Sequence, residues 1–494
     1  MDLLLGLDVG TTATKALLFD LQGNIVSSAS HQYGLITPQQ GWVEQDPEDL
    51  WTGVVETTRA VLRDVRSGDR VVALSQSSQA GTTIPVDRSG QPVFNAISWM
   101  DHRGAVQAEK VRQSVGDEFI RRTAGWPLSS GLPLQHVGWL RDNRPDVFAA
   151  ASHFLFVNDF IGYRLTGELC MNPSDAGITQ FLNIATAEWD DRLLELAGIT
   201  RDRLSPMRPC GHVVGKVTTE ASEATGLSQD VLVVNGAHDQ YCAAVGVGVT
   251  EPGMMLLSCG TAWVLLAVPE SLEVGLDSGM AVGCHPVTGR FGAIRSLGGV
   301  GTSLEWFLDN VWDRGRVGDD RDTLYREINE VVAASPAGSG GLLFTPLAGG
   351  HAGTIGGTMG GFTRLSLQHT PSDMARAVLE GIVFELRWVA DQIGAAGVDI
   401  SELKMVGGAA KSPLWPQIVA DIMGIPVALP VMSQSASLGA AALAGVGAGV
   451  FPDAEHTFLH LRGKESRLEP AAERHAVYDD RFAEYQRVFT ALAS

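Results

Sequence analysis

Near the start of the chain, Asp8-Val9-Gly10-Thr11-Thr12-Ala13-Thr14-Lys15 crowds a carboxylate, a glycine, hydroxyls and an ammonium into one turn. Glycine lets the N–H groups of such a turn face an anion, the threonine hydroxyls add donors, and Lys15 adds a charge. Asp8, at the end of an apolar run, could hold Mg2+ through water. A plain β-hairpin with a solvated lysine uses the same residues, so the segment alone leaves both readings open.

Three further segments carry chemistry of the same grade. In Val233-Val234-Asn235-Gly236-Ala237-His238-Asp239-Gln240 a strand ends in polar groups, where the Asp239 carboxylate could meet a substrate hydroxyl. His238 reads as a structural hydrogen-bonding group rather than a base. Ala96-Ile97-Ser98-Trp99-Met100-Asp101-His102-Arg103 offers a ring to stack on a sugar and charges for its hydroxyls, or else an ion pair at the surface. Leu403 to Pro413 reads as a strand, the double-glycine turn Gly407-Gly408, and a helix with Ser412 as N-cap and Pro413 in its first turn. Paired glycines let a flat ring lie on the backbone, although packing alone would explain the same pattern. The GxxxxGK[ST] and GxGxxG phosphate motifs are missing, as are HExxH and GxSxG.

These segments need scaffolding. Leu3 to Val9 reads as a buried strand, Ala16 to Phe19 as its antiparallel return, and Ile25-Val26 as the start of a third strand. The plan recurs where Met254 to Ser258 runs into Gly260-Thr261 and then Trp263 to Leu266, with Ser258 in the place of Asp8. Two such hairpins, each opening half the chain, predict two similar α/β domains facing each other. The spacing puts the boundary in the glycine-rich Val245 to Gly253, giving domains 1–247 and 248–494. Ala440 to Ala444 reads as a buried helix, and the charged segment from Pro470 as a solvated helix packed on the body.

Composition bounds the partners. The chain has 494 residues, 45% of them hydrophobic, enough for more than one core. A net charge of −20 excludes nucleic acid and anionic membrane surfaces as expected partners. The 5 cysteines show no CxxC pairing, which reads as reduced and intracellular. Met1-Asp2 leads directly into the first strand with no basic segment, so the expected location is cytoplasmic.

Taken in order, the motifs resemble the FGGY carbohydrate kinases of the actin/Hsp70/hexokinase-like superfamily. The likeness rests on Gly6 to Thr12, Trp99 to Arg103, Leu165-Thr166-Gly167-Glu168, Asp239-Gln240, Gly260-Thr261, Arg376 to Gly381 and Gly407-Gly408-Ala409. It implies two ribonuclease-H-like α/β domains flanking a cleft that takes ATP, Mg2+ and a sugar. By match to its motifs, Asp239 is the catalytic base and Asp8 supports the metal. Thr11, Thr12 and Lys15 approach the phosphates, Gly260 and Thr261 form the second phosphate turn, and Gly301 and Glu305 follow it. Gly408, Ala409 and Ser412 match the adenosine turn. Gln79, Ala80, Gly81, Asp101, Asp239 and Gln240 are the expected sugar contacts.

Within the family the chain is most similar to members acting on xylulose. It departs from them at Ala80-Gly81, where Met-His is usual, at His238, where glycine is frequent, and at Gly349-Gly350-His351, where Gly-Glu-Arg is common. D-xylulose is the expected substrate, with gluconate, a hexulose or another polyol as alternatives. A homodimer is kept open as the assembly. A non-catalytic ATP-binding protein on the same fold is the rival reading, and retention of Asp8 and Asp239 argues against it.

Overall fold

The computed structural model describes residues 1–260, 262–312, 321–347, 360–432, 434–461 and 465–493. Thr261 and Gly349-Gly350-His351 lie outside the described residues.

The first sheet is built from β1 (Asp2–Val9), β2 (Ala13–Asp20), β3 (Ile25–Gln32), β4 (Arg70–Ser78), β5 (Val213–Lys216) and β6 (Leu232–His238). Its order is β5-β6-β4-β1-β2-β3, with β1–β2–β3 antiparallel and β1, β4 and β6 parallel. The second contains β7 (Gly253–Cys259), β8 (Trp263–Ala267), β9 (Ala281–Cys284), β10 (Phe291–Leu297), β11 (Ile400–Gly407), β12 (Val427–Pro430) and β13 (Glu465–Leu468). Its order, β9-β10-β8-β7-β11-β12-β13, repeats the plan: an antiparallel meander joined through its first strand to parallel strands. The duplicated hairpins of the sequence are therefore the centres of two ribonuclease-H-like lobes.

The helices that position the site are α1 (Pro47–Leu62), α2 (Val157–Thr166), α3 (Pro173–Ile178), α4 (Asp239–Val247), α5 (Val300–Phe307), α6 (Arg321–Ala333), α7 (Pro371–Ala395), α8 (Trp415–Met423), α9 (Ser435–Gly447) and α10 (Ala472–Ala493). Both faces of β1 are covered, which is why it reads as an unbroken apolar run. Leu3, Leu5, Leu7 and Val9 share a core with Leu50 and Val54 of α1, whereas Leu4 meets Leu438 and Ala441 of α9. A Cβ on Gly6 would fall 2.0 Å from the Ser437 carbonyl oxygen, so only glycine lets α9 approach this closely.

The expected boundary at 247/248 falls where a buried helix ends and a short loop leads into β7. Tyr241, Ala244 and Val247 of α4 pack on Leu256, Leu266 and Val406 of the second sheet, while α9, from the later half, covers the first. The two helices cross where a Cβ on Gly439 would lie 1.8 Å from the Cys242 carbonyl oxygen. The chain thus passes between lobes twice, each lobe roofed by a helix from the other half. Val282 N also donates to Gly125 O at 2.8 Å, and Arg122 pairs with Asp277 at 2.7 Å, bridging the lobes near one end.

Residue 472 onward is helical, as expected, but Tyr478 and Tyr485 are fully buried, so one face of α10 belongs to the core. The 5 cysteines are free thiols. Among the described residues, no helix is long and apolar enough to cross a membrane.

Candidate active site

Strand register brings the acids together. Asp8 stands opposite Lys15 on β2 and Ser77 on β4, and Ser77 Oγ donates to Asp8 Oδ1 at 3.0 Å. Burial, and then the charge of Asp239, push the Asp8 carboxyl up to about 6, against the pull of Lys15 and Ser77. Asp239 opens α4 directly after β6, with its side chain 32% exposed. Its Oδ1 lies 3.1 Å from His238 Nε2 but has no hydrogen-bonding partner. Two mutually repelling carboxylates beside one another suit a hydrated divalent cation. Among the described residues no cluster of three or more His, Cys, Asp or Glu side chains is present.

The first turn is braced from below. Gly10 N donates to Ala13 O at 3.0 Å and Tyr33 OH to Gly10 O at 2.6 Å. Gln45 Nε2 donates to Thr11 O at 2.8 Å and its Oε1 accepts from Gln79 Nε2 at 3.0 Å. Trp99 Nε1 reaches Thr11 Oγ1 at 3.1 Å, coupling the ring to the turn. Thr12 is exposed and Lys15 half-buried.

Two expected sugar contacts are occupied elsewhere. Gln79 is buried, and its amide supports Gln45, which in turn holds the Thr11 carbonyl. Asp101 is fully buried: Arg103 donates to both carboxylate oxygens, Val43 N donates to Oδ2, and the guanidinium also bonds Glu44. That guanidinium lies 4.1 Å from the Trp42 ring and 4.9 Å from the Trp139 ring. The segment is an ion pair, as one reading held, but a buried one that binds Asp101 to Arg103 and Val43, with Glu44 on the same guanidinium.

Ala80, Leu132, Ile178 and Trp126 form an apolar cluster. Gly81 has φ +81°, and a Cβ there would meet Trp99 Cβ at 3.2 Å and Leu132 Cδ2 at 3.3 Å. The small Ala80-Gly81 pair has therefore not left a void; Leu132, Ile178 and Trp126 fill the space. Around this wall sit buried polar atoms without partners, namely Trp126 Nε1, His238 Nδ1, Gln240 Oε1 and Asp239 Oδ1. Trp126 and His238 meet edge to face at 6.4 Å, and burial pushes the His238 imidazole below its ordinary value, leaving it uncharged at neutral pH. Unpaired buried groups cost roughly 1–3 kcal/mol each, so such a cluster favours a ligand rich in hydroxyls.

The second lobe holds a cavity of about 630 Å³ lined by Gly260, Gly301, Glu305, Gly408, Ala409 and Ser412, together with Trp263, Tyr325, Asn329, Lys411 and Trp415. It brings together six of the residues expected at the nucleotide, while Thr11, Thr12 and Lys15 stand on the first lobe's turn and do not line it. Ser412 Oγ donates to Asn329 Oδ1 at 2.6 Å and accepts from Leu414 N and Trp415 N. The helix starts at Trp415, later than expected, because a short 3-10 turn at Ala409–Lys411 intervenes. Sequence reasoning missed Trp126, Tyr325 and Asn329, which stand in a loop and a helix away from the strand ends that mark the other site residues.

Models of the FGGY family of carbohydrate kinases match this chain with their N-terminal domain at residues 3–246 and their C-terminal domain at residues 255–448, and the chain belongs to that family. It is 29% identical over 491 residues to the xylulose kinase of Staphylococcus epidermidis, covering 99% of this chain and 96% of that protein. It is 30% identical over 506 residues to the autoinducer-2 kinase of Escherichia coli O9:H4, covering 98% and 94%. The crystal structure of ligand-bound xylulose kinase from Lactobacillus acidophilus superposes with a TM-score of 0.90 at 26% identity, covering 100% of this chain and 99% of that one. The protein is thus a carbohydrate kinase with the two-lobed fold of that group.

Proposed function

We propose that this kinase transfers the γ-phosphoryl group of ATP to a terminal primary hydroxyl of a small neutral ketose, D-xylulose, giving D-xylulose 5-phosphate. The observation that carries the reading is the set of unpaired polar atoms at Asp239, His238, Gln240 and Trp126, with Asp239 close enough to Asp8 to raise its carboxyl. In this reading Asp239 takes the proton of the attacking hydroxyl as its oxygen bonds to the γ-phosphorus and the bond to ADP breaks. Lys15, Thr11, Thr12 and the Gly260-Thr261 turn hold the phosphates, and Gly301, Glu305, Gly408, Ala409 and Ser412 hold the nucleoside. Mg2+ bound beside Asp8 would spread the charge of the transferring group. Residues 1–247 and 248–494 serve as the sugar and nucleotide halves, and free thiols with an ATP substrate suit the cytoplasm.

A second reading is favoured by the apolar wall of Ala80, Leu132, Ile178 and Trp126, which suits a polyol with a deoxy or methyl-bearing carbon. ADP formation with pentuloses, a deoxypentulose, hexuloses, gluconate, pentitols and glycerol tests these readings. D-xylulose should give the highest kcat/KM. Preference for another sugar would overturn the xylulose reading, and no ADP with any would overturn the phosphorylation itself.

A further inference from the structure

One buried acid, Asp175 on α3, has no part in the transfer described above. Ser78 Oγ donates to its Oδ1 at 3.2 Å and Asn172 Nδ2 to its Oδ2 at 2.8 Å. The preceding residue, Ser174, accepts from His238 N at 3.3 Å. Ser78 and His238 are register partners at the ends of the parallel strands β4 and β6, and the next residue after His238 is Asp239. Neighbouring residues of α3 therefore grip both members of the strand pair that aims the base.

The groups facing Asp175 are acids, thiols and an uncharged imidazole. Asp239 and His238 approach from the end of β6, Asp159 from α2, and the thiols of Cys210 and Cys242 from the other side, while β9, which packs on α3, brings Cys284. Burial, followed by the charges of Asp239 and Asp159, pushes the Asp175 carboxyl up to about 8, against the bonds from Asn172 and Ser78.

We propose that Asp175 is a positioning residue: it ties the strand ends that aim Asp239, and its ionisation sets the alkaline limit of the reaction. The inference rests on Asp239 being the base. A charge at Asp175 would add a second negative charge near Asp239, where an anionic phosphoryl group must arrive.

The test is the pH profile of kcat/KM with the best sugar of the panel. One pH unit above the midpoint the wild type should stand about tenfold below its plateau, whereas Asp175→Asn, which cannot ionise, should fall less than about twofold over the same range. Ser78→Ala removes a bond that favours the anion and should move the midpoint to higher pH. An alkaline fall retained in Asp175→Asn, or a midpoint unmoved in Ser78→Ala, overturns the proposal. The same titration can be read without turnover, from thermal midpoints between pH 5 and 9. The folded state holds the Asp175 proton to higher pH than the unfolded chain does, so wild-type stability should decline as pH rises toward 8, and the asparagine variant should lack part of that decline. Equal slopes overturn the proposal. Failure of every sugar would count against the phosphorylation reading, and this thermal arm would still decide the role of Asp175.

Discussion

Asp8→Asn should make the protein more stable at neutral pH while making it a poorer enzyme. The Asp8 carboxyl is pushed from 3.8 to about 6, first by burial and then by Asp239. An acid whose folded value is raised keeps its proton longer in the folded state, so stability is lost as pH climbs from about 4 to 6 and stays lost above. The difference amounts to roughly 3 kcal/mol at pH 7, an upper figure because the site can relax and admit water. Asparagine keeps the shape and can still accept from Ser77 Oγ, which donates at 3.0 Å in the wild type, but it cannot ionise. Urea unfolding should show the variant more stable than wild type at pH 7 by up to about 3 kcal/mol, with the gap closing near pH 4. Mg2+ should stabilise the wild type more than the variant, and the variant should need more Mg2+ for half-maximal rate. A variant no more stable at pH 7 than at pH 4 relative to wild type would refute the electrostatic reasoning. An unchanged Mg2+ dependence would remove Asp8 from the metal site.

Other consequences follow from the sugar wall. Gly81→His with Ala80→Met, the pair usual in xylulose-acting relatives, should not sharpen selectivity here. At φ +81° and 3.2 Å from Trp99 Cβ, the new side chain should cost roughly 1–3 kcal/mol, seen as a lower thermal midpoint. An equally stable, more selective variant would show that the wall yields. Trp126→Phe keeps the ring and removes the orphaned donor, so KM for the sugar should rise by about 5- to 100-fold with the KM for ATP unchanged. An unchanged sugar KM would detach Trp126 from the substrate.

Much of the scaffold was legible because each lobe's central strand is buried on both faces and bounded by glycine. Leu3 to Val9 and Met254 to Ser258 could hardly be anything but buried strands, and their Gly-Thr turns marked the duplication. The exchange of α4 and α9 between lobes was not legible, because alanine-rich helices carry no mark of which sheet they will cover. In the site, Asp239 and Gly408 were found because they follow strand ends, where parallel sheets present their side chains. Gln79 and Asp101 follow the same kind of signal, yet their polar groups are consumed by Gln45 and Arg103 from distant segments. Residue type and position announce a polar group near the cleft; only the tertiary partners decide whether it is left free. Trp126 and Asn329 illustrate the converse, entering from a loop and a helix that the sequence could not orient.

The central claim, that Asp239 is the base of a sugar phosphorylation, is tested most directly by comparing kcat of the wild type and Asp239→Asn on the best sugar, alongside binding of a non-hydrolysable ATP analogue. Asparagine retains the shape at the head of α4 but cannot take the hydroxyl proton. Turnover should fall by about 10²–10⁴-fold, with analogue affinity near that of the wild type. A variant that keeps about a third or more of wild-type turnover would contradict it, since loss of a general base cannot leave the rate so nearly intact.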